Sequence, residues 1–242
     1  MPHFFINSED VKDNKIIICD KENFNHIAKS LRIKTGEKLL LIDENQIQYE
    51  TVVEKVTNKE ITVNVENSYK SGRRLDFELY LAQSPLRSDA QAIIVEKATE
   101  LGTEGLYPVY TDNCALNRSV IEKKIPKWQR IMYEASKQCE RACVPKCFEL
   151  TDLASVINLG YKVIAFCERC TDITLHEYCE KNPIQKGDKI LVIIGPEGGF
   201  SECEFEFFRE NNVAMLTLGN LILKAETAVI AALGNIIYEY NR

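Results

Sequence analysis

The sequence has few of the residues on which many functional sites depend. It contains three histidines, one tryptophan and three methionines among 242 residues. His3, His26 and His176 are isolated from one another, and none is paired with a cysteine motif, so the pattern predicts no zinc site and no Ser/His/Asp or Cys/His set. We expect each histidine to be a surface or packing residue.

Long hydrophobic runs and a positive net charge are also missing. No apolar run approaches the roughly 20 residues that cross a bilayer, and the first residues do not resemble a signal peptide, so we expect a cytoplasmic protein. The net charge is −6, which means that any nucleic-acid contact requires a local basic patch. The length, with 45% hydrophobic and 27% charged residues, indicates one large or two smaller globular domains.

Nine cysteines, an odd number, favour reduced thiols over a disulfide framework. Cys139, Cys143 and Cys147 are spaced by four, and Cys167 and Cys170 form a CxxC motif. A structural metal or a redox motif is the alternative, but we expect most of these residues to be small buried hydrophobes and predict no metal.

The first 70 residues are rich in short strands and predict a small β-barrel domain. One helix, from about Glu22 to Arg32 with Asp20 as its cap, interrupts them, and Asn58-Lys59-Glu60 predicts a hairpin turn. The predicted strands are Lys15–Cys19, Lys38–Ile42, Ile47–Val56 and Ile61–Glu66.

Residues 70–74 form a basic, flexible linker, after which strands and helices alternate. This alternation predicts a second domain, 71–242, of the α/β class with a mostly parallel sheet. Its predicted strands are 77–82, 106–110, 163–167, 190–194 and 214–218, and its predicted helices are 88–101, 125–142, 175–180, the helix after Ser201 and 226–240.

A glycine-rich loop follows the most apolar run of the chain, Ile190–Ile194. This run predicts a buried parallel strand, and Gly195-Pro196-Glu197-Gly198-Gly199 follows it directly. Ser201 and Glu204 then form a capping box that opens a helix. Open α/β sheets bind ligands where a strand ends in such a loop.

The loop lacks the Lys-Ser/Thr end of a phosphate-binding loop and the spacing of a dinucleotide fingerprint, and Glu197 would repel a phosphate. A neutral or cationic ligand held by backbone groups fits better, with a tight turn and no ligand as the alternative. Gly219 follows the next strand along the chain, so the two loops could converge on one pocket.

The predicted helix at 125–142 carries basic side chains. Lys127, Arg130, Lys137 and Arg141 are spaced so that they share one helix face. Between Arg118 and Lys146, eight basic and three acidic residues give a local charge of +5, which is the patch that a nucleic acid would need. An ordinary solvated helix face is the alternative. The neighbouring apolar stripe consists of Trp128, Ile131, Met132 and Ala135.

Together these motifs resemble the knotted SPOUT methyltransferases, and in particular the branch that methylates N3 of a uridine in bacterial small-subunit ribosomal RNA. The resemblance covers nearly the whole chain. It is carried by Ile194–Ser201 with Glu204, Leu218-Gly219 with Ile222–Ala228, Lys97–Gly102, Glu134-Ala135 with Gln138, Arg141 and Pro145, and His26 with Leu31-Arg32 and Gly36.

The resemblance implies a PUA-like RNA-binding barrel in residues 1–70 and a SPOUT domain with a deep trefoil knot in 71–242. It also implies a homodimer, a small-subunit rRNA substrate and S-adenosylmethionine (SAM) as methyl donor. The implied cofactor residues are Gly195, Pro196, Gly198, Gly199, Leu218, Gly219, Leu221, Ile222, Leu223, Thr227 and Ala228.

The implied reaction is methyl transfer from the sulfonium to a uracil nitrogen of an unstacked base, which must lose its proton. The protein then positions the reactants and stabilises negative charge on uracil. Arg141, Arg87 and Glu197 are the catalytic candidates. The candidate RNA contacts are Arg32, Arg73, Arg74, Lys127, Arg130, Lys137 and Gln138.

The chain departs from the family pattern mainly at charged positions. His3, Asn113, Leu221 and Lys224 stand where arginine is usual, and Arg87 replaces a usual lysine. Ala90 and Ala92 stand where charged residues are common. Ribose 2′-O-methylation and an RNA-binding relative without catalysis are therefore the alternative functions. A nucleotide hydrolase is disfavoured because the glycine loop lacks a lysine.

Overall fold

The computed structural model of the chain describes residues 3–168 and 170–242, apart from the side chain of Ser88. The chain forms two compact units. One runs to Arg74 and also includes Ser136–Cys143, whereas the other comprises Leu75–Ala135 and Val144–Arg242. The N-terminal unit thus extends four residues beyond the predicted boundary and takes in a segment that the sequence assigned to the second domain.

The N-terminal unit is built on one mixed six-stranded sheet of order β1-β4-β5-β6-β3-β2. The strands at 38–42 and 47–56 match the prediction, and the hairpin at 58–60 joins β5 to an antiparallel β6 that continues to Lys70. The strands are β1 His3–Phe5, β2 Val11–Lys12, β3 Lys15–Ile18, β4 Lys38–Ile42, β5 Ile47–Val56 and β6 Ile61–Lys70.

The predicted helix at 22–32 is correct in place but not in form. Its first turn, α1 (Lys21–Phe24), is capped by Asp20, whose carboxylate accepts from Asn23 N at 2.8 Å. The chain then continues as a π-helical stretch over Asn25–Ser30, which turns Ile27 into the core of the unit. Periodicity identifies a helix but does not separate an α-helical from a π-helical hydrogen-bond pattern.

The larger unit contains a second six-stranded sheet, of order β12-β10-β11-β7-β8-β9, in which every pairing is parallel. Its strands are β7 Glu78–Gln83, β8 Gly105–Pro108, β9 Lys146–Cys147, β10 Lys162–Phe166, β11 Lys189–Ile194 and β12 Ala214–Leu216. Its helices are α2 Ser88–Glu100, α3 Arg118–Gln138, α4 Leu153–Ile157, α5 Leu175–Lys181, α6 Glu202–Glu210 and α7 Ala225–Tyr240. The predicted parallel α/β architecture is therefore confirmed, although β9 and α4 were not predicted.

The central strand β11 is apolar throughout because both of its faces are covered. Ile190, Val192 and Ile194 pack on one face in the cluster that includes α2 and α7 residues. Leu191 and Ile193 pack on the other face with Phe208 of α6. This alternation is the two-residue period of a strand that lies between two helical layers.

Helix α3 differs from its prediction at both ends. It begins at Arg118, which places Pro126 inside the helix rather than in its first turn, and it ends at Gln138. Arg141 therefore lies beyond the helix and cannot share a helical face with Lys127 and Arg130. The apolar stripe is confirmed, because Trp128 and Met132 are buried in the core.

Among the helices that the structure describes, none combines the length and the apolar character needed to cross a membrane.

Candidate functional site

A cavity of about 910 Å³ lies where β10, β11 and β12 end at the carboxyl edge of the parallel sheet. Both glycine loops line it, together with residues that follow β10 and with one face of α6. Its volume is in the range of small-molecule sites. The lining residues are Ala90, 166–168, Cys170, 194–200, Glu202, Phe205, Arg209, 217–226 and Ala228.

The first loop is shaped by a turn and by an aromatic anchor. Gly199 N donates to Pro196 O at 3.0 Å, and Gly199 has a φ of +68°, which glycine adopts without strain. The Phe200 ring packs edge-on against Phe205 and Phe208, with centroids 6.0 and 5.0 Å away. Ser201 then caps α6, as predicted, because its hydroxyl accepts from Glu204 N and the Glu204 carboxylate accepts from Ser201 N.

The second loop is fixed by a threonine. The Thr217 hydroxyl accepts from Gly219 N and donates to Gly219 O, both at 3.1 Å. Gly219 has a φ of +118°, a conformation that other residues rarely adopt. A Cβ placed on Gly199 or on Gly219 would meet no atom within 4 Å. These two glycines therefore leave bare backbone beside the cavity, as a ligand held by main-chain groups requires.

Gly198 lines the cavity and also packs against Asn113. A Cβ at this position would lie 3.1 Å from Asn113 Cβ, so the glycine accommodates Asn113. At Gly195 a Cβ would lie 3.3 Å from the Phe200 ring. At these two positions the small residue serves the packing of the loop itself.

The third lining segment was missed by the sequence analysis because it contains no glycine. Phe166 is the last residue of β10, and Cys167, Glu168 and Cys170 follow this strand, which lies between β11 and β12 in the sheet. Arg169, inside the CxxC motif, lies outside the described residues. The predicted strand at 163–167 was the available signal, since adjacent parallel strands end at the same edge of a sheet.

Burial disfavours the thiolate form of the two cysteines in this segment. Burial raises the pKa of the Cys167 and Cys170 thiols. A raised pKa leaves little thiolate near pH 7, and the thiolate is both the nucleophile and the metal ligand. All nine cysteines are free, and the described residues contain no group of three or more His, Cys, Asp or Glu side chains arranged to hold a metal ion.

Carboxylates outnumber cations among the described residues that line the cavity. These residues include four glutamates, Glu168, Glu197, Glu202 and Glu226, and two basic residues, Arg209 and Lys224. Such a lining favours a ligand with a positively charged group over a phosphate.

The predicted cofactor and catalytic residues either line the cavity, lie next to a lining residue, or, in the case of Arg141, lie in the N-terminal unit. Every predicted cofactor residue except Thr227 lines the cavity, and Glu197 lines it as well. Thr227 lies on an exposed part of α7 next to the lining residue Ala228. Arg87 is exposed immediately before α2, whose Ala90 lines the cavity. Arg141 is buried in the N-terminal unit.

The predicted RNA contacts are not one continuous helix face. Lys127 and Arg130 are exposed on α3, whereas Lys137 is only 8% exposed and its Nζ lies 3.9 Å from Glu22 Oε1 within the N-terminal unit. The prediction that Lys127, Arg130, Lys137 and Arg141 share one helix face was therefore wrong, because Arg141 lies beyond the end of α3. Helical spacing shows which residues share a face but not where the helix ends. The remaining exposed candidates are Arg32, Arg73, Arg74 and Gln138.

A parallel sheet covered by helices on both faces, with a cavity at its carboxyl edge, is the arrangement typical of α/β proteins that bind small molecules. A family profile described as "RNA methyltransferase domain" matches residues 73–237, and one described as "RNA methyltransferase PUA domain" matches residues 18–66. The chain belongs to this family of RNA methyltransferases, which confirms the resemblance inferred from its motifs.

Similar proteins extend over nearly the whole chain. The chain is 28% identical to ribosomal RNA small subunit methyltransferase E of Mesomycoplasma hyopneumoniae, over 95% of this chain and 96% of that one. It is 24% identical to the protein of the same name from Bacillus subtilis, over 99% and 97%. It is also similar to the structure of a putative Legionella pneumophila methyltransferase in complex with SAM, with a TM-score of 0.83 and 25% identity over 97% and 96%.

Proposed function

We propose that the chain is a SAM-dependent methyltransferase that acts on N3 of a uridine in bacterial small-subunit (16S) ribosomal RNA. The observation that carries the proposal is the cavity at the carboxyl edge of β10, β11 and β12 with its two glycine loops. Relatives named ribosomal RNA small subunit methyltransferase E, which align with more than nine-tenths of the chain, support the substrate. The SAM-bound relative supports the cofactor.

The residues of the cavity fit this cofactor. The open backbone at Gly199 and Gly219 gives the adenosine a surface without side chains, and the glutamates around the cavity suit the positive sulfonium and amino groups. When bound, SAM supplies an electrophilic methyl group on sulfur. Leu218, Leu221, Ile222 and Leu223 of the second loop add apolar lining.

The chain must also hold the uracil and stabilise it as N3 loses its proton. Glu197 is exposed on the first loop at the cavity, and it remains a catalytic candidate because a carboxylate there can act on a proton. Arg87 and Arg141 remain the candidates for stabilising negative charge on the base. The exposed cations Arg32, Arg73, Arg74, Lys127 and Arg130, with Lys137 and Gln138, are the proposed RNA contacts.

We further propose that the protein works as a homodimer in the cytoplasm and that its SPOUT domain is knotted. Large apolar side chains on the second loop support the dimer, because Leu221 is 81% and Ile222 58% exposed. Light scattering coupled to size-exclusion chromatography tests it, with a monomer at micromolar concentration as the contrary result. The nine free cysteines support the proposed cytoplasmic location, because thiols stay reduced in that compartment.

The test of the function is methylation in vitro, with methyl-labelled SAM and with either isolated small subunits or free 16S rRNA from a strain that lacks the enzyme. Mass spectrometry of the nucleosides then locates the methyl group. We expect label on the uracil base at one uridine. Label on a ribose would support the 2′-O alternative, and SAM binding without transfer to either RNA would support a relative that has lost catalysis.

Two adjacent substitutions on α7 provide a matched control for the site. Ala228 lines the cavity and Thr227 does not. We expect Ala228→Phe to place a ring inside the cavity and abolish methylation. Thr227→Phe, which adds the same ring one residue away, should leave the methylation rate within about twofold. Loss of activity in Thr227→Phe but not in Ala228→Phe would indicate that the cofactor binds on the other side of α7.

A further inference from the structure

Asn113 binds the first glycine loop from outside the cavity. Its Nδ2 lies 3.3 Å from Gly198 O and 3.1 Å from Gly199 O. Because a carbonyl oxygen only accepts hydrogen bonds, these contacts fix which end of the side-chain amide faces the loop. One side chain thus restrains two consecutive peptide groups.

The backbone at 198 is shaped for this contact. A Cβ on Gly198 would lie 3.1 Å from Asn113 Cβ and 3.6 Å from Asn113 Cγ. A residue larger than glycine at 198 would therefore displace Asn113 or the loop. The described residues that line the cavity do not include Asn113, so its contact with the loop is distinct from the proposed ligand contacts.

The residue before Asn113 holds the far end of the same loop. The Ser201 hydroxyl donates to Asp112 Oδ2 at 2.5 Å, and Asp112 N donates to Glu204 Oε1 at 3.0 Å. The segment that carries these residues is itself anchored, because Thr111 Oγ1 lies 2.6 Å from Ser84 Oγ. Asp112 and Asn113 together hold the loop from Gly198 to the first turn of α6.

We propose that Asn113 is a positioning residue for SAM binding, which holds the Gly198 and Gly199 peptide groups in the orientation that the cofactor contacts. This inference rests on the proposed function, since it assigns the ligand of the loop. Asn113 acts through the loop and not on the reacting atoms.

Two substitutions separate the hydrogen bonds from the packing. Asn113→Ala removes both donors, whereas Asn113→Asp keeps the shape of the side chain and places a carboxylate against two carbonyl oxygens. We expect SAM to bind about tenfold more weakly to Asn113→Ala, and more weakly still to Asn113→Asp, by calorimetry. The matched control is Asn158→Ala, which removes an exposed amide that donates to Ala154 O at 2.9 Å at the end of α4.

Kinetics distinguish positioning from a general loss of structure. We expect the KM for SAM to rise in both variants while kcat at saturating SAM stays within about twofold and the melting temperature matches that of Asn158→Ala. If kcat and the melting temperature both fall in the two Asn113 variants, the substitutions cause a general loss of structure and the proposal is overturned. We also expect Gly198→Ala and Asn113→Ala to be non-additive, because both disturb one contact, and full additivity would contradict it.

A measurement without cofactor keeps the two proposals separate. Amide hydrogen exchange of the free protein should accelerate over residues 197–201 in Asn113→Asp and stay unchanged in Asn158→Ala. Wild-type exchange rates in Asn113→Asp would overturn the positioning role even if SAM binds. If the wild-type protein does not bind SAM, the proposed function fails, while faster exchange in Asn113→Asp would still support the contact between Asn113 and the loop.

Discussion

The Glu204 carboxylate joins two segments that are 92 residues apart in the sequence, because its Oε1 accepts from Asp112 N at 3.0 Å. Its other oxygen, Oε2, accepts from Ser201 N at 2.8 Å. Glu204 is only 8% exposed, so both bonds are partly shielded from water. One carboxylate therefore both caps α6 and fastens the helix start to the segment after β8.

Removal of this carboxylate should destabilise the larger unit. Glu204→Ala leaves two shielded amide donors without their acceptor, so we expect a loss of about 2–3 kcal/mol in unfolding free energy. Glu204→Gln retains one acceptor oxygen and should lose about half as much. Urea denaturation measures both. The control is Glu206→Gln on the exposed side of α6, and a Glu204→Ala variant as stable as that control would show that the bonds contribute nothing.

Gly105 should tolerate no side chain, because an added Cβ would lie 2.5 Å from Phe148 Cε2 and 3.0 Å from Lys146 O. The Phe148 ring is also stacked on Tyr107 at a centroid distance of 4.0 Å, which restricts its movement. We expect Gly105→Ala to cost about 1–3 kcal/mol in denaturant unfolding. Gly234→Ala, in the middle of α7, is the matched comparison. A Cβ added at Gly234 would meet no atom within 4 Å outside the helix backbone. That change should stabilise by up to about 1 kcal/mol, and equal effects at the two glycines would refute the packing argument.

The stability of the N-terminal unit should fall in mild acid because of His3. The side chain is 2% exposed, and neither ring nitrogen has a hydrogen-bond partner among the described residues. Burial, aided by the charge of Arg73, lowers the pKa of His3 from 6.5 to about 4. The unfolded chain therefore binds the proton more readily, so stability is retained above pH 6.5 and lost as the pH falls towards 4.

Between pH 7.5 and pH 5 this single group accounts for about 2 kcal/mol. His3→Gln removes the titration and keeps a polar side chain. We expect the unfolding free energy of the variant to change less between these two pH values than that of the wild type. Parallel pH profiles for the two proteins would show that His3 does not titrate in this range.

The exposed and the buried basic residues of the α3 region should respond differently to substitution. Lys127→Ala removes an exposed charge, so we expect rRNA binding to weaken about three- to tenfold and the salt dependence of log K to decrease by about 1, with no change in melting temperature. Arg141→Ala removes a buried cation, so its main expected effect is a lower melting temperature. Glu122→Gln, exposed on the same helix, is the control. Unchanged RNA affinity in Lys127→Ala would leave that helix face as solvated surface.

Much of the fold could be predicted because strong local signals agree with the tertiary structure. The apolar run 190–194 became the central strand, and the Ser201 and Glu204 pair became the helix start that it predicted. Helix α3 was placed wrongly because Pro126 was taken as a start signal, although the helix contains it as its ninth residue. The short β9 pairs through two residues and leaves no periodic pattern to detect.

The site could be predicted only where glycine marks it. Gly195 and Gly219 located two of the lining segments, but Phe166 and Cys167 have no distinctive residue type and are brought to the cavity by strand order alone. The role of Gly198 was also hidden, because its neighbour Asn113 is 85 positions away in the sequence. Contacts of this kind depend on tertiary structure, which local sequence patterns do not encode.

Hydrogen exchange of the protein with and without SAM tests the central claim most directly, because it reports where the ligand contacts the backbone. The three segments that line the cavity are the ends of β10 and β11 and the loop after β12. We predict slower exchange on SAM addition in peptides that cover 166–170, 195–200 and 218–225, with residues 47–70 unchanged. Binding of SAM without protection of these three segments, or protection confined to the N-terminal unit, would contradict the account.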